Sequence, residues 1–245
     1  LKKKKIDLII PASEPELRFF TDKDINNILG CKIISASLRA REIGFDKLNT
    51  VQFLKKEGLP FPITFDVKDV NEIIKFPVIL KSRNGSGSSN INVVKDIDTF
   101  NFIKKKNPDF IVQEYLDDAN GEYTCGLFRS KNGVIRTIII KRELMGGQTG
   151  YGEIINNFEI NLLLDEIAVK LNLIGCINVQ LRITSKGPLV FEINPRFSST
   201  IRFRHLLGFK DLEWCIEDQL SIPISDYNPD SVGKKIYKGF IEYIS

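Results

Sequence analysis

The chain predicts an α+β architecture of two lobes, and three features carry that prediction. Short β-rich runs alternate with helical patterns from Ile6 to Ile43. From Asp46 onward, strand pairs joined by glycine-containing turns dominate, as in antiparallel sheets. No internal repeat is present, which sets aside solenoids and propellers.

Taken in order, Ile6 to Ile10 is a β-rich run closed by Pro11, and Leu17 to Leu29 has a helical pattern that stops at Gly30. Lys32 to Ile34 predicts a strand and Leu38 to Ile43 a short helix, giving a βαβα order. Two strands are too few for a stable parallel sheet, so material upstream of Leu1, or another chain, is expected to complete that layer. Lys47 to Glu57 predicts a helix ending at Gly58, with Pro60 and Pro62 beyond it. Phe61 to Phe65 predicts a strand and Val70 to Ile74 a helix. Strands at Phe76–Lys81 and Ile91–Val94 flank a Gly/Ser loop, and Asp96 caps a helix that runs to about Lys106. Asp109 to Leu116 follows as a strand. The remainder predicts strands at Tyr123–Phe128, Val134–Lys141, Cys176–Ile183 and Leu189–Ile193. A glycine-rich loop is expected over Gly146–Gly152, with helices at Phe158–Leu171, Thr200–Leu207 and Asp211–Leu220.

Composition excludes several functional classes. At 245 residues the chain can bury a substantial core, and its 42% apolar and 27% charged fractions are those of a globular protein. No apolar run approaches the roughly 20 residues that span a bilayer, so no membrane association and a cytoplasmic location are expected. The net charge of +4, from 35 basic and 31 acidic residues, is too mild to argue for nucleic acid. The four cysteines contain no C-x-x-C pair and read as reduced, buried thiols. The single histidine, His205, follows no G-x-S-x-G elbow and is read as structural.

Several segments carry residues suited to chemistry. The loop Ser82–Ser89 matches neither phosphate-loop fingerprint, yet a glycine-rich hairpin lets backbone N–H groups approach phosphate oxygens. A flexible surface hairpin is the competing reading. Lys81 ends the strand entering this loop and can set an ammonium beside the same phosphates. The most informative segment pairs Ile177–Ile183 with Leu189–Arg196. Period two puts Asn178, Gln180 and Arg182 on one face, and a short turn brings Gln180 opposite or diagonal to Glu192. Glu192 and Asn194 share a face on the return strand, with Phe191 and Ile193 on the other. One carboxylate and two amide oxygens then converge, a hard-oxygen set suited to Mg²⁺, against the plainer reading of a hydrogen-bonded polar sheet face. Gln113-Glu114-Tyr115-Leu116 ends another strand where two lobes would join and can offer backbone groups to an adenine edge. Glu122 could accept from ribose hydroxyls.

These pieces together resemble the ATP-grasp superfamily, especially the ATP-binding modules of the carbamoyl-phosphate synthetase large subunit and related carboxylate–amine ligases. The resemblance runs from Asp46 to about Leu220. Its most specific element is Asn178-Val179-Gln180 with Phe191-Glu192-Ile193-Asn194-Pro195-Arg196. Asp46-Lys47, Pro77-Val78-Ile79-Leu80-Lys81 and Gln113 to Leu116 support it in the same order.

The resemblance implies an ATP-grasp fold of two α+β lobes with ATP between them, preceded by the end of a truncated α/β pre-ATP-grasp domain. Its divisions would be residues 1–45, a small lobe over 46–116 with a lid at 84–89, and a large lobe over 117–245 that holds the metal. It implies that Lys47 and Lys81 contact phosphates, with Gly85, Ser86, Gly87 and Ser88 closing over them. Gln113, Glu114, Tyr115 and Leu116 would hold adenine, and Glu122 the ribose. Gln180, Glu192 and Asn194 would hold one or two Mg²⁺, with Mn²⁺ as a substitute. Arg196 would steady the transferred phosphoryl group, and Arg142 would meet the acyl substrate. Gln180 stands where many members carry an acidic residue, which leaves more positive charge at the metals. The implied activity is an ADP-forming ligase that joins a small-molecule carboxylate to an amine, with a homodimer among the assemblies the family uses. Phosphorylation of a carboxylate or carbamate without ligation, and a non-catalytic ATP-binding module, are the alternatives.

Overall fold

The computed structural model describes residues 6–70, 75–85, 91–117, 120–228 and 231–239. At the N-terminal end, β1 (Leu8–Ile9) leads through Ser13 into α1 (Glu14–Asp22). Ser13 and Glu16 form a reciprocal capping box that satisfies the first free N–H groups of the helix. The helix stops at Asp22, short of the predicted Leu29. The chain from Asn27 instead turns into β2 (Asn27–Ile28) and β3 (Cys31–Ile33). Leu29 and Gly30 both hold positive φ, 53° and 90°, as a tight two-residue hairpin turn requires. The sheet order is β1-β3-β2, with β1 and β3 parallel, so the layer has a third strand where the alternation predicted two. Helices α2 (Leu38–Gly44) and α3 (Lys47–Lys56) follow, the second capped by Asp46.

A four-stranded antiparallel sheet comes next, built from β4 (Thr64–Asp66), β5 (Val78–Ser82), β6 (Ile91–Val94) and β7 (Phe110–Glu114) in the order β4-β7-β5-β6. One face buries Val78, Leu80, Phe110 and Val112 against Phe100 of α4 (Ile97–Lys106), whose first turn is capped by Asp96. The opposite face carries Ile79, Lys81, Ile111 and Gln113 by strand alternation. Of the helix predicted over Val70–Ile74, residues 71–74 lie outside the described residues. A single 3₁₀ turn occupies Val67–Asp69.

The larger sheet has six strands. In chain order they are β8 (Glu122–Arg129), β9 (Ile135–Met145), β10 (Gln148–Ile155), β11 (Gly175–Thr184), β12 (Gly187–Asn194) and β13 (Lys235–Tyr237), arranged β12-β11-β8-β9-β10-β13. Helix α5 (Phe158–Lys170) covers one face, burying Ile160, Leu163, Leu164 and Ile167 against Cys125, Ile139, Val179 and Leu181. Phe53 and Leu54 of α3 join this core. Part of the other face is covered by α6 (Ile201–Leu206) and α7 (Asp211–Leu220), where Trp214 packs edge-on against Phe209 and at a tilt against Phe128.

Two predictions in this region change. Gly146 and Gly147, with φ of 59° and 75°, form a two-residue turn between β9 and β10, so the expected loop over Gly146–Gly152 is mostly strand. β13 lies beyond the last predicted element, since a three-residue strand leaves too short a period to read.

Gly44 ends α2 directly against the strand end that leads out of β12. A Cβ there would lie 2.7 Å from Pro195 Cδ and 2.9 Å from the Ile193 carbonyl oxygen. Gly44→Ala should therefore lower stability by about 1–3 kcal/mol, because backbone cannot yield as a side chain can. Urea unfolding of the variant beside the wild type checks this.

Candidate active-site cleft

The bare face of the four-stranded sheet and the cleft end of the six-stranded sheet enclose a cavity of about 590 Å³. Ile79, Ile91 and Val93 supply an apolar wall from the smaller sheet, with Tyr115 and Leu116 at the crossing between the sheets. Glu122, Arg142, Gln180, Arg182 and Glu192 line the side formed by the larger sheet. A second cavity of about 560 Å³ shares Glu122, Arg142, Leu144 and Arg182 and continues past Lys141 and Tyr151.

Lys81 sits deep in this cleft with 5% of its surface exposed. Its ammonium donates to Gln113 Oε1 at 2.9 Å and lies 5.3 Å from the centre of the Phe191 ring. Burial pulls its pKa from the usual lysine value down to about 8, while Glu192 and Glu122 act upward and Lys47 downward. Such a group is still charged at neutral pH and poorly solvated, which is what an anion seeks.

The position of Phe191 differs from the one that strict alternation predicts. Gln180 pairs with Glu192 and Leu181 pairs with Val190, so Phe191 is the extra residue of a β-bulge. Val190 and Ile193 enter the core while Phe191 and Glu192 both face the cleft. The expected Gln180–Glu192 pairing is otherwise present, and Asn178 pairs with Asn194 in the same register. Asn194 is buried at 5% exposure and does not line the cleft. Asn178 is also buried, and its side-chain oxygen accepts from Thr124 and from Arg204, which in turn pairs with Asp211.

At the mouth of the cleft, α3 is clipped to the smaller sheet. The Lys47 backbone N–H donates to the Arg83 carbonyl, and Arg83 Nε bonds both oxygens of the Asp46 carboxylate at 2.7–2.8 Å. Arg83 also reaches Asp66 at 3.4 Å. The Lys47 ammonium donates to the Gly85 carbonyl at 2.8 Å and lies 3.7 Å from Glu192. Gly85 ends a described stretch, and Ser86, Gly87 and Ser88 lie outside the described residues.

Among the described residues no group of three or more His, Cys, Asp or Glu could hold a metal ion unaided. The pair Gln180 and Glu192 offers one carboxylate and one amide oxygen side by side on the cleft wall. That donor set fits Mg²⁺, which takes few protein ligands and completes its shell with water and phosphate.

The other expected contacts divide. The Glu114 carboxylate accepts from the Ile63 backbone N–H at 3.2 Å, while the Glu114 N–H donates to the Ile63 carbonyl. Glu122 is held between two arginines, Arg142 at 2.6 Å and Arg182 at 3.0 Å. Arg182 donates as well to the Leu116 carbonyl. Strand alternation gives Arg182 a face but no partner, so this arginine pair on one carboxylate is legible in the sequence only in part. Arg196 stands apart from the cleft, with its Nε 3.7 Å from Glu14. The chain turns out of β12 at Pro195, which carries Arg196 toward α1.

A family model for the ATP-grasp domain matches residues 45–200, more than half of the chain. The large chain of carbamoyl phosphate synthase from Archaeoglobus fulgidus is 24% identical over 196 residues, which cover 71% of this chain and 18% of that protein. Its counterpart from Thermoplasma acidophilum is 26% identical over 226 residues, 81% of this chain and 22% of that one. The chain thus spans about a fifth of the length of these curated relatives.

Among solved structures, the biotin carboxylase domain of the Hydrogenobacter thermophilus 2-oxoglutarate carboxylase superposes with a TM-score of 0.75 at 16% identity. That match covers 95% of this chain and 57% of that one, and the neighbour was crystallised with MgADP, ADP and bicarbonate. The N5-carboxyaminoimidazole ribonucleotide synthetase of Thermus thermophilus gives 0.74 at 14% identity, covering 92% and 65%. At such identities these structures speak to the fold, which is the mixed α+β arrangement that the strand order predicted. With the family model spanning the cleft-forming strands and Lys81, Gln180 and Glu192 within it, the chain is a member of the ATP-grasp family.

Proposed function

We propose that this chain binds Mg–ATP in the cleft and uses it to activate a carboxylate as an acylphosphate, which an amine then attacks with release of phosphate. The observation that carries the reading is the buried Lys81 ammonium, set in a cavity whose facing wall presents Gln180 and Glu192 as a pair. The curated relatives named as carbamoyl phosphate synthase large chains support ligase chemistry over other uses of the fold.

In this reading Lys81 and Lys47 meet the phosphates, beside the Gly85 carbonyl that Lys47 already reaches. Ile79, Ile91 and Val93 form the apolar wall against adenine, while Gln113 to Leu116 present the edge of the crossing strand. Glu122 receives the ribose. Gln180 and Glu192 would hold Mg²⁺, which supplies charge neutralisation along the phosphates, while Asn194, buried off the cleft wall, is left out of that donor set. Arg142 receives the substrate carboxylate. The ion pair with Glu14 is at odds with a phosphoryl contact for Arg196, so the proposal assigns that charge to the two lysines.

A carboxylate is a poor electrophile because its oxygen would have to leave as oxide. Its attack on the γ-phosphorus forms a new O–P bond and breaks the bond to ADP, converting that oxygen into part of a phosphate leaving group. The amine's lone pair then forms the C–N bond, phosphate departs with the C–O electrons, and the amine proton passes to solvent. Fixed cations around the transferring group lower this barrier by charge stabilisation, without a covalent enzyme nucleophile. We further propose that residues 46–116 and 117–245 act as the two lobes that close over the nucleotide.

Three outcomes test the reading. Mg–ATP at about 100 times its dissociation constant adds roughly 2.7 kcal/mol, which should raise the unfolding midpoint by about 5–10 °C. Lys81→Ala should abolish that shift, and Glu192→Ala should abolish its dependence on magnesium. A folded wild-type protein that shows no shift sinks the proposal. Because Lys81 titrates at about 8, its charge is present below that pH and lost above it. Mg–ATP affinity measured by calorimetry should therefore fall as pH climbs through 8 to 9, and that slope should vanish in Lys81→Met. With an acceptor pair found by ADP release, Arg142→Ala should raise KM for the carboxylate by about tenfold or more with a smaller effect on kcat. ADP release that needs the carboxylate but not the amine would favour phosphorylation without ligation.

A further inference from the structure

We propose that Gln113 is a positioning residue, which fixes the Lys81 ammonium in the cleft through a hydrogen-bond chain of set direction running back to Thr64 and Pro62. The inference rests on the reading of Lys81 as a phosphate contact and adds a determinant of its aim.

The direction follows from the donors. The Thr64 hydroxyl gives its only proton to the Pro62 carbonyl at 2.7 Å. Its oxygen can therefore only accept from Gln113, whose Nε2 donates to it at 2.8 Å. With the amide nitrogen committed, the amide oxygen must point the other way, where it meets Lys81 Nζ at 2.9 Å. Reversing the amide would set a donor against the ammonium and an oxygen against the Thr64 lone pairs, so only one orientation satisfies every group. Gln113 and Thr64 are both buried, at 3% and 9% exposure, and no water is needed to complete the chain.

The strand register makes this possible. Gln113 pairs with Ile79 and Lys81 with Ile111, which makes Lys81 and Gln113 diagonal neighbours on one face of adjacent antiparallel strands. Thr64 pairs with Gln113 directly across the next ladder. Three strands therefore contribute one link each.

A neutral acceptor is suited to this task. The charged groups facing Lys81 are Glu192 on β12, Glu122 on β8 and Lys47 on α3. A lysine stem free to swing would move its ammonium toward Glu192 or Glu122 and be neutralised there. Gln113 and the Phe191 ring hold it short of both without adding charge. One of the three ammonium protons is spent on Gln113, leaving two for ligand oxygens.

The test compares Mg–ATP and adenosine binding by calorimetry in wild type, Gln113→Met, Thr64→Val and Thr64→Ser. Methionine keeps the length and burial of glutamine but removes both polar ends. Gln113→Met should weaken Mg–ATP about tenfold more than it weakens adenosine. Thr64→Val should weaken Mg–ATP several-fold, and Thr64→Ser, which retains the hydroxyl, should restore it. Equal losses for adenosine and Mg–ATP, or no loss for either, overturn the proposal. A nucleotide-free crystal structure of Gln113→Met reads the positioning without relying on ATP. An ammonium displaced from its place beside Phe191 supports the inference, and one that has not moved overturns it even if the wild type binds no nucleotide.

Discussion

The bulged pairing of β11 with β12 is the constraint on which the cleft depends. One extra residue between Val190 and Glu192 lets a single strand serve both the core and the cavity. Val190 and Ile193 stay in the core beneath α5, while Phe191 and Glu192 turn together into the cavity. Without the bulge, a residue next to Glu192 would have to be buried on the far side, and Lys81 would lose the ring that flanks it. The aromatic face and the carboxylate are therefore coupled, since any change of register moves both.

Around that strand, a charged cluster ties α3 to the smaller sheet. Asp46 caps α3 with one oxygen and receives Arg83 from the smaller sheet, so the helix cap and the connection between sheets share one carboxylate. Asp66 takes the other side of the same guanidinium. Such contacts are directional and partly exposed, and they can be broken and remade at lower cost than a buried apolar interface. Phe53 and Leu54 meanwhile anchor α3 in the core of the larger sheet. The helix stays with one sheet while its first turn reports on the other.

Much of this was legible in the sequence. The hairpin carrying Gln180 and Glu192 is short and strictly alternating on its first strand, so period two and a tight turn placed the pair correctly. The same rule failed at Phe191, because a bulge leaves no mark in the pattern of polar and apolar residues. Lys81 and Gln113 could each be read as facing the cleft, yet their contact depends on the register between β5 and β7, which loop lengths alone do not supply. Arg196 follows a proline at a strand end, and its direction was set by Glu14 of a helix far away in sequence. The three-residue β13 and the two-residue β2 fell below the length at which periodicity carries information. Long alternating strands were readable, and contacts decided by register or by short elements were not.

The carboxylate of Glu122, wedged between Arg142 and Arg182, amounts to an anion that the protein carries with it. Being tethered, it sits before those guanidinium groups at an effective concentration that no dilute anion in solution matches. Free acetate or phosphate arriving at the cleft meets an occupied seat, and displacing the resident leaves a desolvated carboxylate to be satisfied elsewhere. A molecule that gives Glu122 new hydrogen-bond donors while presenting its own anion to the arginines makes the exchange at little cost. On these grounds a ligand carrying both hydroxyl donors and negative charge would satisfy the three side chains more fully than one carrying charge alone.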